Sequence, residues 1–568
     1  MSTHHLVRRA GPLCAAGLLA SLAAAQYQTI KAFGENIATA GDHTGMSVAI
    51  LGDCDGDGID DWIVGAPNDG DGGVDSGTAY VLTGGYDSNV LYELHGNSGD
   101  NLGTCVASAG DWDQDGRGDF IVSSPGYDTL FPFSQDRGAV RVYSGKTGAL
   151  LFTVIGPKTG ARLGEAVAGG GDVTADGRPD LIVGAPSWDV DVTVSQTTNE
   201  GYAALYNGAT HALIVSYTGT TQGQQLGGAV SFVDELDLDH NWEYAIGSPG
   251  YSYLGPPPFF LKILDAGRVD VYSGATHAVM YTKLGTFDDR LGAALADVHD
   301  TDHDFQRELL VGAPGADGDG EAYLYEGTAG TLIHTYTAAG YGSPESFGYA
   351  VGPVGDVNKD GYDDVAIGAP MTSTSVYGGY VEVFSGKDGS LVVPLLNGPY
   401  PGVLAGAALS PSKGDLNGDD WPDLLMSWPY ADYDGTDSGM ALGLGFLTYQ
   451  PDLGFQGPGT STLQVYGTPL ATGGQADMRL TYAAANSPAW LLASPSQAFS
   501  AFKGGILVPN AAVALLAPFT TDAQGKVVIP GIPGGGGYLI IYCQFLVKNA
   551  GYPQGWGLSN AVAVELLP

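Results

Sequence analysis

Residues 53–67 read DCDGDGIDDWIVGAP, and the same arrangement returns six times. The later copies are DWDQDGRGDFIVSSP from Asp111, DVTADGRPDLIVGAP from Asp172 and ELDLDHNWEYAIGSP from Glu235. Then come DTDHDFQRELLVGAP from Asp300, DVNKDGYDDVAIGAP from Asp356 and DLNGDDWPDLLMSWP from Asp415. Successive starts lie between 56 and 65 residues apart. Each start is followed fourteen residues later by a proline, from Pro67 to Pro429. Eight residues before six of the starts stands a glycine: Gly45, Gly103, Gly164, Gly227, Gly292 and Gly348. Gly406 stands nine before Asp415, a slip of one. Offsets held this closely mark one structural unit copied seven times.

Each unit reads as four short strands. One leads into the Asp-rich loop. A second, such as Phe120-Ile121-Val122, leaves it and stops at the proline, which has no N–H for a sheet ladder. A third alternates after a glycine, as in GAVRVYSG from Gly138 or GYVEVFSG from Gly379, and a fourth such as LLFTVIG from Leu150 closes the unit. Four strands per unit, repeated seven times, predict a seven-bladed β-propeller over residues 26–450. The segment Tyr27 to Phe33 reads as an outer strand without inner partners, placed to complete the last blade and remove a sheet edge.

The loops carry the chemistry. Ca²⁺ takes six to eight oxygens, and alternate residues of a tight turn can face one centre. In the first loop these are Asp53, Asp55, Asp57 and Asp61, with the carbonyl of Ile59 at position 7 and Gly58 supplying the turn at position 6. The second loop offers Asp111, Asp113, Asp115, Arg117 (by its carbonyl) and Asp119; the sixth offers Asp356, Asn358, Asp360, Tyr362 and Asp364. The third has Asp172, Thr174, Asp176, Arg178 and Asp180, one charge fewer. The seventh has Asp415, Asn417, Asp419, Trp421 and Asp423, with Asp420 in place of the glycine. The fourth (Glu235, Asp237, Asp239, Glu243) and fifth (Asp300, Asp302, Asp304, Glu308) have suitable side chains, but His240 and Phe305 stand at position 6 and leave their occupancy open. Up to seven Ca²⁺ are expected.

These units resemble FG-GAP repeats, those of the N-terminal propeller of integrin α-chains, with Phe347-Gly348 as the FG and Gly65-Ala66-Pro67 as the GAP. The resemblance covers roughly residues 27–450 and implies a seven-bladed propeller with Ca²⁺ in the loops between the first two strands of a blade. The chain departs from the pattern at Ser123-Ser124, at Ser427-Trp428 and where Leu replaces Phe in most FG positions. Integrin signalling is not carried over, because the leg domains, membrane helix and von Willebrand-type insert of that family find no counterpart in the sequence.

With 62 acids against 22 bases, the net charge is −40, which argues against nucleic acid and anionic membranes as partners. Arg8 and Arg9 followed by small apolar residues to Ala25 read as a signal peptide over residues 1–25, so a secreted or cell-surface location is expected. No later stretch reads as a transmembrane segment. Cys54, Cys105 and Cys543 are too few for a disulfide scaffold, and most are expected unpaired. Residues 451–568 lose the loops and read as a small β-sandwich, with strands at Val527 to Ile529, Tyr538 to Phe545 and Ala561 to Leu567. This tail, ending LSNAVAVELLP, resembles C-terminal β-domains of secreted bacterial proteins.

The expected function is a monomeric, non-catalytic binding or adhesion module for an extracellular protein or glycan. The alternatives are a polysaccharide lyase or hydrolase on a propeller scaffold, or a structural envelope protein. Arg117-Gly118-Asp119 spells RGD, but position 7 and position 9 belong to the loop, so no adhesive role is assigned to it. His299 and His303 flank Asp300 and Asp302 without a helix to place them on one face.

Overall fold

The structure is a computed structural model. It describes residues 27–34, 39–85, 89–130, 133–189, 198–234, 236–237, 239–255, 262–301, 306–338, 346–358, 360–371, 378–418, 421–432 and 435–446. Further on it describes residues 462–467, 475–481, 483–494, 497–502, 505–509, 515–523, 525–533, 539–549 and 556–566. The expected signal peptide, Glu235, Asp302, Asp304 and Asp419 lie outside these residues. The chain divides into two units, one built on residues 29–417 and 422–444 and one on residues 445–568.

The first unit is an all-β propeller. In the first repeat, β2 (Ser47–Gly52), β3 (Asp61–Ala66), β4 (Thr78–Leu82) and β5 (Val90–His95) form one antiparallel sheet in that order. The second strand is buried at every position, while the fourth alternates between exposed and half-buried, so the sheet runs from core to rim. The next five repeats each give a four-stranded sheet of the same kind. The last described sheet has three strands, with β1 (Tyr27–Phe33) outside Met440–Phe446 and Asp423–Trp428. The N-terminal strand thus supplies the outer strand of the final sheet. Inner strands touch their neighbours in turn, from Ser47–Gly52 through Ala350–Gly355 to Asp423–Trp428 and back to Ser47–Gly52. Thr44 bridges Gly439 in parallel across this closure, and Thr44 N donates to Ser438 O at 3.0 Å.

The fixed offset between the FG glycine and the GAP segment has a direct cause. Gly45 N donates to Gly65 O at 2.9 Å, and the equivalent bond recurs in every repeat. It runs from Gly103 to Ser123, Gly164 to Gly184, Gly227 to Gly247, Gly292 to Gly312, Gly348 to Gly368 and Gly406 to Ser427. At Gly65 a side chain is excluded because neighbouring sheets nearly touch: a Cβ there would lie 1.9 Å from Gly103 O in the next repeat, whereas the second and seventh repeats carry Ser123 and Ser427 at the equivalent position. Gly103 itself has φ +88°. The residue before that glycine is a buried plug, Phe347 in one repeat and Leu102, Leu163, Leu226 and Leu291 in others. Leucine fills the same place, which is why its substitution for Phe leaves the fold intact. Ser123 and Ser427 keep the carbonyl that the bond needs.

In the second unit, Thr462–Gly467, Gln475–Thr481 and Val527–Pro533 form one sheet. Leu515–Thr520, Pro488–Ser494, Leu539–Lys548 and Trp556–Leu566 form another. Leu463, Met478 and Leu480 of the first pack with Ala489, Cys543 and Phe545 of the second, a sandwich-like core. Apart from a 3-10 turn at Ala316–Gly318, the described elements are strands. Cys54, Cys105 and Cys543 are free thiols.

Candidate metal centre

In the four-stranded sheets the Asp-rich loop joins the first and second strands, in the last sheet it leads into Asp423–Trp428, and two hydrogen bonds define its shape. The position-6 amide donates to the position-1 carboxylate: Gly58 to Asp53 Oδ2 at 3.1 Å, Gly116 to Asp111 Oδ2 at 2.9 Å, Gly177 to Asp172 Oδ2 at 2.7 Å and Gly361 to Asp356 Oδ2 at 2.9 Å. These glycines have φ between 83° and 89°. His240 adopts the same left-handed turn, with φ 73°, so the fourth loop keeps the backbone that its sequence left in question.

The position-2 amide donates to the position-9 carboxylate in all seven loops, from Cys54 to Asp61 at 2.8 Å through Leu416 to Asp423 at 2.7 Å. All seven of these acids are buried. In three, the second carboxylate oxygen takes a further amide from the turn after the third strand: Gly84, Gly145 and Gly208 donate to Asp61, Asp119 and Asp180 at 2.8, 2.8 and 2.9 Å. Burial pushes these carboxyls up, Asp61 and Asp180 to about 7, Asp119 to about 6 and Asp364 to about 8, with the amide bonds pulling the other way. Position 9 is therefore a backbone clamp beneath the loop.

In the first two loops, positions 1, 3 and 5 converge. Oxygens of Asp53, Asp55 and Asp57 lie within 4.8 Å of one another, as do those of Asp111, Asp113 and Asp115. In the fourth loop the group is Asp237, Asp239 and Glu243, where the position-9 acid joins positions 3 and 5 while still holding Leu236 N. The donors are all hard oxygens, the set that suits Ca²⁺ or Mg²⁺ over softer metals. Asp115 Oδ1 is buried with no hydrogen-bond partner among the described residues, as is Asn417 Oδ1 in the seventh loop. A bound cation would satisfy such oxygens, so the residues present fit a metal.

The remaining loops differ for stated reasons. In the third, Asn207 Nδ2 donates to Thr174 Oγ1 at 2.9 Å and to Asp176 Oδ2 at 2.6 Å, putting a neutral donor between positions 3 and 5. In the sixth, Asn358 Oδ1 accepts from Asp360 N at 2.8 Å while its Nδ2 donates to Asp364 Oδ1 at 3.2 Å. Asp360 Oδ1 in turn accepts from Tyr362 N at 3.1 Å. In the seventh, Asp415 Oδ1 accepts from Asn417 N at 3.2 Å, and Trp421 is buried. Of the fifth, the described part shows Glu308 accepting from Thr301 N at 2.6 Å.

Position 8 has a role that the sequence did not reveal. Its amide donates to the position-1 carbonyl of the preceding loop: Gly118 to Asp53 at 3.2 Å, Trp242 to Asp172 at 3.0 Å and Asp60 to Asp415 at 3.2 Å. The last of these joins the first repeat to the seventh, where Asp415 N also donates to Asp60 Oδ2 at 2.9 Å. Pro179 and Pro422 occupy position 8 in the third and seventh loops and cannot donate. Position 7 adds side-chain links: Arg178 Nη1 donates to Trp112 O at 3.1 Å, and Asn241 Nδ2 to Val173 O at 2.6 Å. The first four loops and the seventh are thus tied to neighbouring loops as well as to their own sheets.

Arg117 makes the most consequential of these links. Its Nη1 lies 2.8 Å from Asp53 Oδ2, placing a cation of the second loop on the first. Asp119 is buried, so the RGD tripeptide is engaged within the fold. The pair is partly exposed and worth ~1 kcal/mol. Arg117→Gln is therefore expected to tighten cation binding at the first loop about five-fold. Calorimetric calcium titration checks this, and an isotherm superimposable on the parent's counts against it.

Comparison with known proteins agrees with this architecture. The family model described as FG-GAP repeat matches residues 163–206 and 347–384. The chain is 30% identical over 225 residues to integrin alpha-V of Gallus gallus, across 38% of this chain and 20% of that protein. It is 26% identical over 295 residues to integrin alpha-4 of Xenopus laevis, across 49% of this chain and 26% of that protein. It is 32% identical over 216 residues to integrin alpha-IIb of Homo sapiens, across 34% and 19%. The chain thus spans about a fifth to a quarter of the length of these curated relatives.

Proposed function

We propose that this chain, a propeller carrying FG-GAP repeats and similar to integrin alpha chains, is a secreted, calcium-binding, non-catalytic binding or adhesion module. Calcium is held by the loop oxygens, foremost Asp53, Asp55 and Asp57, Asp111, Asp113 and Asp115, and Asp237 and Asp239. The observation that carries this reading is the convergence of three carboxylates in each of three loops, with neighbouring loops tied by backbone hydrogen bonds such as Gly118 N to Asp53 O. Three like charges so close repel unless a cation offsets them. Ions there stiffen the loops of one rim and leave other surfaces to meet a partner.

The charge of −40 and the Arg8-Arg9 leader support an extracellular setting, where calcium is plentiful. Among the described residues no helix is long and apolar enough to cross a membrane. The proposed partner is an extracellular glycan or protein, bound by a monomer. Arrays of glycans and matrix proteins, probed with and without EDTA, test this. Retention that falls on chelation, with no released product, is expected; released oligosaccharide would sink the non-catalytic reading.

A further inference from the structure

Inner strands of several sheets surround a cavity of about 280 Å³. Val167, Val230 and Leu295 give part of its lining an apolar character, and the half-buried ring of Trp242 joins them. Another part carries Asp297, Arg307, Asp363 and Lys413. These four charges are already paired. Arg307 Nη1 donates to Asp297 Oδ2 at 2.9 Å and its Nη2 to Asp234 Oδ2 at 2.8 Å, while Lys413 Nζ donates to Asp363 Oδ2 at 2.6 Å.

That pairing selects the ligand. An anionic guest would have to stand beside carboxylates that outnumber their cations, and a cationic guest would have to take a carboxylate from Arg307 or Lys413, each at a cost in a partly desolvated site. A neutral guest rich in hydroxyls meets donors on the two cations and acceptors on the two carboxylates, and such hydrogen bonds to charged groups are the stronger kind. Asp297 Oδ1 is buried without a hydrogen-bond partner among the described residues, so the polar part of the lining is not satisfied by itself. The apolar part and the indole suit a guest with one flat C–H face. The volume lies at the lower end of small-molecule pockets, about 300 Å³ upward, so one ring fills it.

We infer that this axial cavity binds a single neutral pyranose unit, free or at the end of a glycan, with Trp242 against its apolar face and the Asp297–Arg307 and Asp363–Lys413 pairs around its hydroxyls. The inference rests on the reading of the propeller as a binding module and names its ligand class.

Calorimetric titration of the calcium-loaded chain with neutral methyl pyranosides tests it, beside an amino sugar and a uronic acid as charged counterparts. One neutral pyranoside is expected to bind one to one, at least ten-fold tighter than either counterpart. Trp242→Leu, which keeps the site apolar, and Asp297→Asn are each expected to weaken it at least ten-fold. Circular-dichroism melts identify any variant that has lost its fold; Lys413→Met then replaces it, with the same expected loss. Titrating an oligosaccharide that ends in the same unit separates a chain terminus, which binds tighter, from a free sugar, which binds equally. Absence of binding by every neutral pyranoside, equal binding of the charged counterparts, or folded variants that bind like the parent would each overturn the inference. Array retention that survives Trp242→Leu removes the cavity assignment and leaves the binding module standing. Absence of retention on any array removes the module reading itself.

Discussion

The chelated chain is expected to melt about 10 °C below the calcium-loaded one. A ligand that binds only the folded state stabilises it by about 2.7 kcal/mol per site at a hundred times Kd. Extracellular calcium modules have Kd of about 10⁻⁴–10⁻³ M, so ~10 mM calcium approaches that ratio at the tighter sites. Three loops gather three carboxylates each, which gives several kcal/mol together. At roughly 2–4 °C per kcal/mol for domains of 150–250 residues, and less for larger ones, the melt moves by about 10 °C. The position-8 links spread the effect, because a loosened loop also loses its hold on its neighbour, as Gly118 N on Asp53 O illustrates. Scanning calorimetry in calcium and in EDTA checks the shift, and identical melts would contradict it.

Phe33→Ala is the single substitution expected to cost most, about 3–5 kcal/mol. Phe33 is 3% exposed and belongs to the strand that joins the last sheet from the other end of the unit's sequence. Its ring meets Trp62 edge-on at 6.3 Å and Tyr80 at 5.1 Å, both of the first sheet. The cluster around it also holds Leu416 and Ala441 of the last repeat, so one side chain serves both sides of the closure. Truncating it leaves a cavity and weakens a strand whose loss would expose the edge of Met440–Phe446. Val90→Ala, at a 41% exposed position on an outer strand, is the control and is expected to cost under about 1 kcal/mol. The midpoint of urea unfolding compares the two; equal midpoints would contradict the role given to β1.

Much of the fold was legible because the repeat constrains residues at fixed offsets. Gly45, Gly65 and Pro67 announce one bond, one close approach and one strand end; the bond and the strand end recur in every repeat, and the close approach recurs at Gly184, Gly247, Gly312 and Gly368. The role of Tyr27 to Phe33 was legible because an unpartnered strand at the start matches a missing strand at the end. The loop acids were legible as a group, yet not in their division of labour. Asp61 and its equivalents are placed by long-range amides such as Gly84 N, which no local pattern reveals. Asn207 reaches the third loop from the end of a strand more than thirty residues on, so the lost charge at Thr174 was visible and the competing donor was not. His240 looked unsuited to position 6 because propensity disfavours it there, but the surrounding turn holds it at positive φ. The axial cavity was illegible for a similar reason: Asp297, Asp363 and Lys413 come from three repeats and meet only when the sheets are arranged about a centre.

The central claim is that the loop carboxylates hold calcium. Counting bound calcium by elemental analysis after dialysis against ~1 mM calcium tests it most directly, in the parent chain and in Asp111→Asn/Asp113→Asn. At least three ions per parent chain are predicted, with one fewer in the variant. A parent chain that retains no calcium, or a variant that retains as much as its parent, would contradict the account.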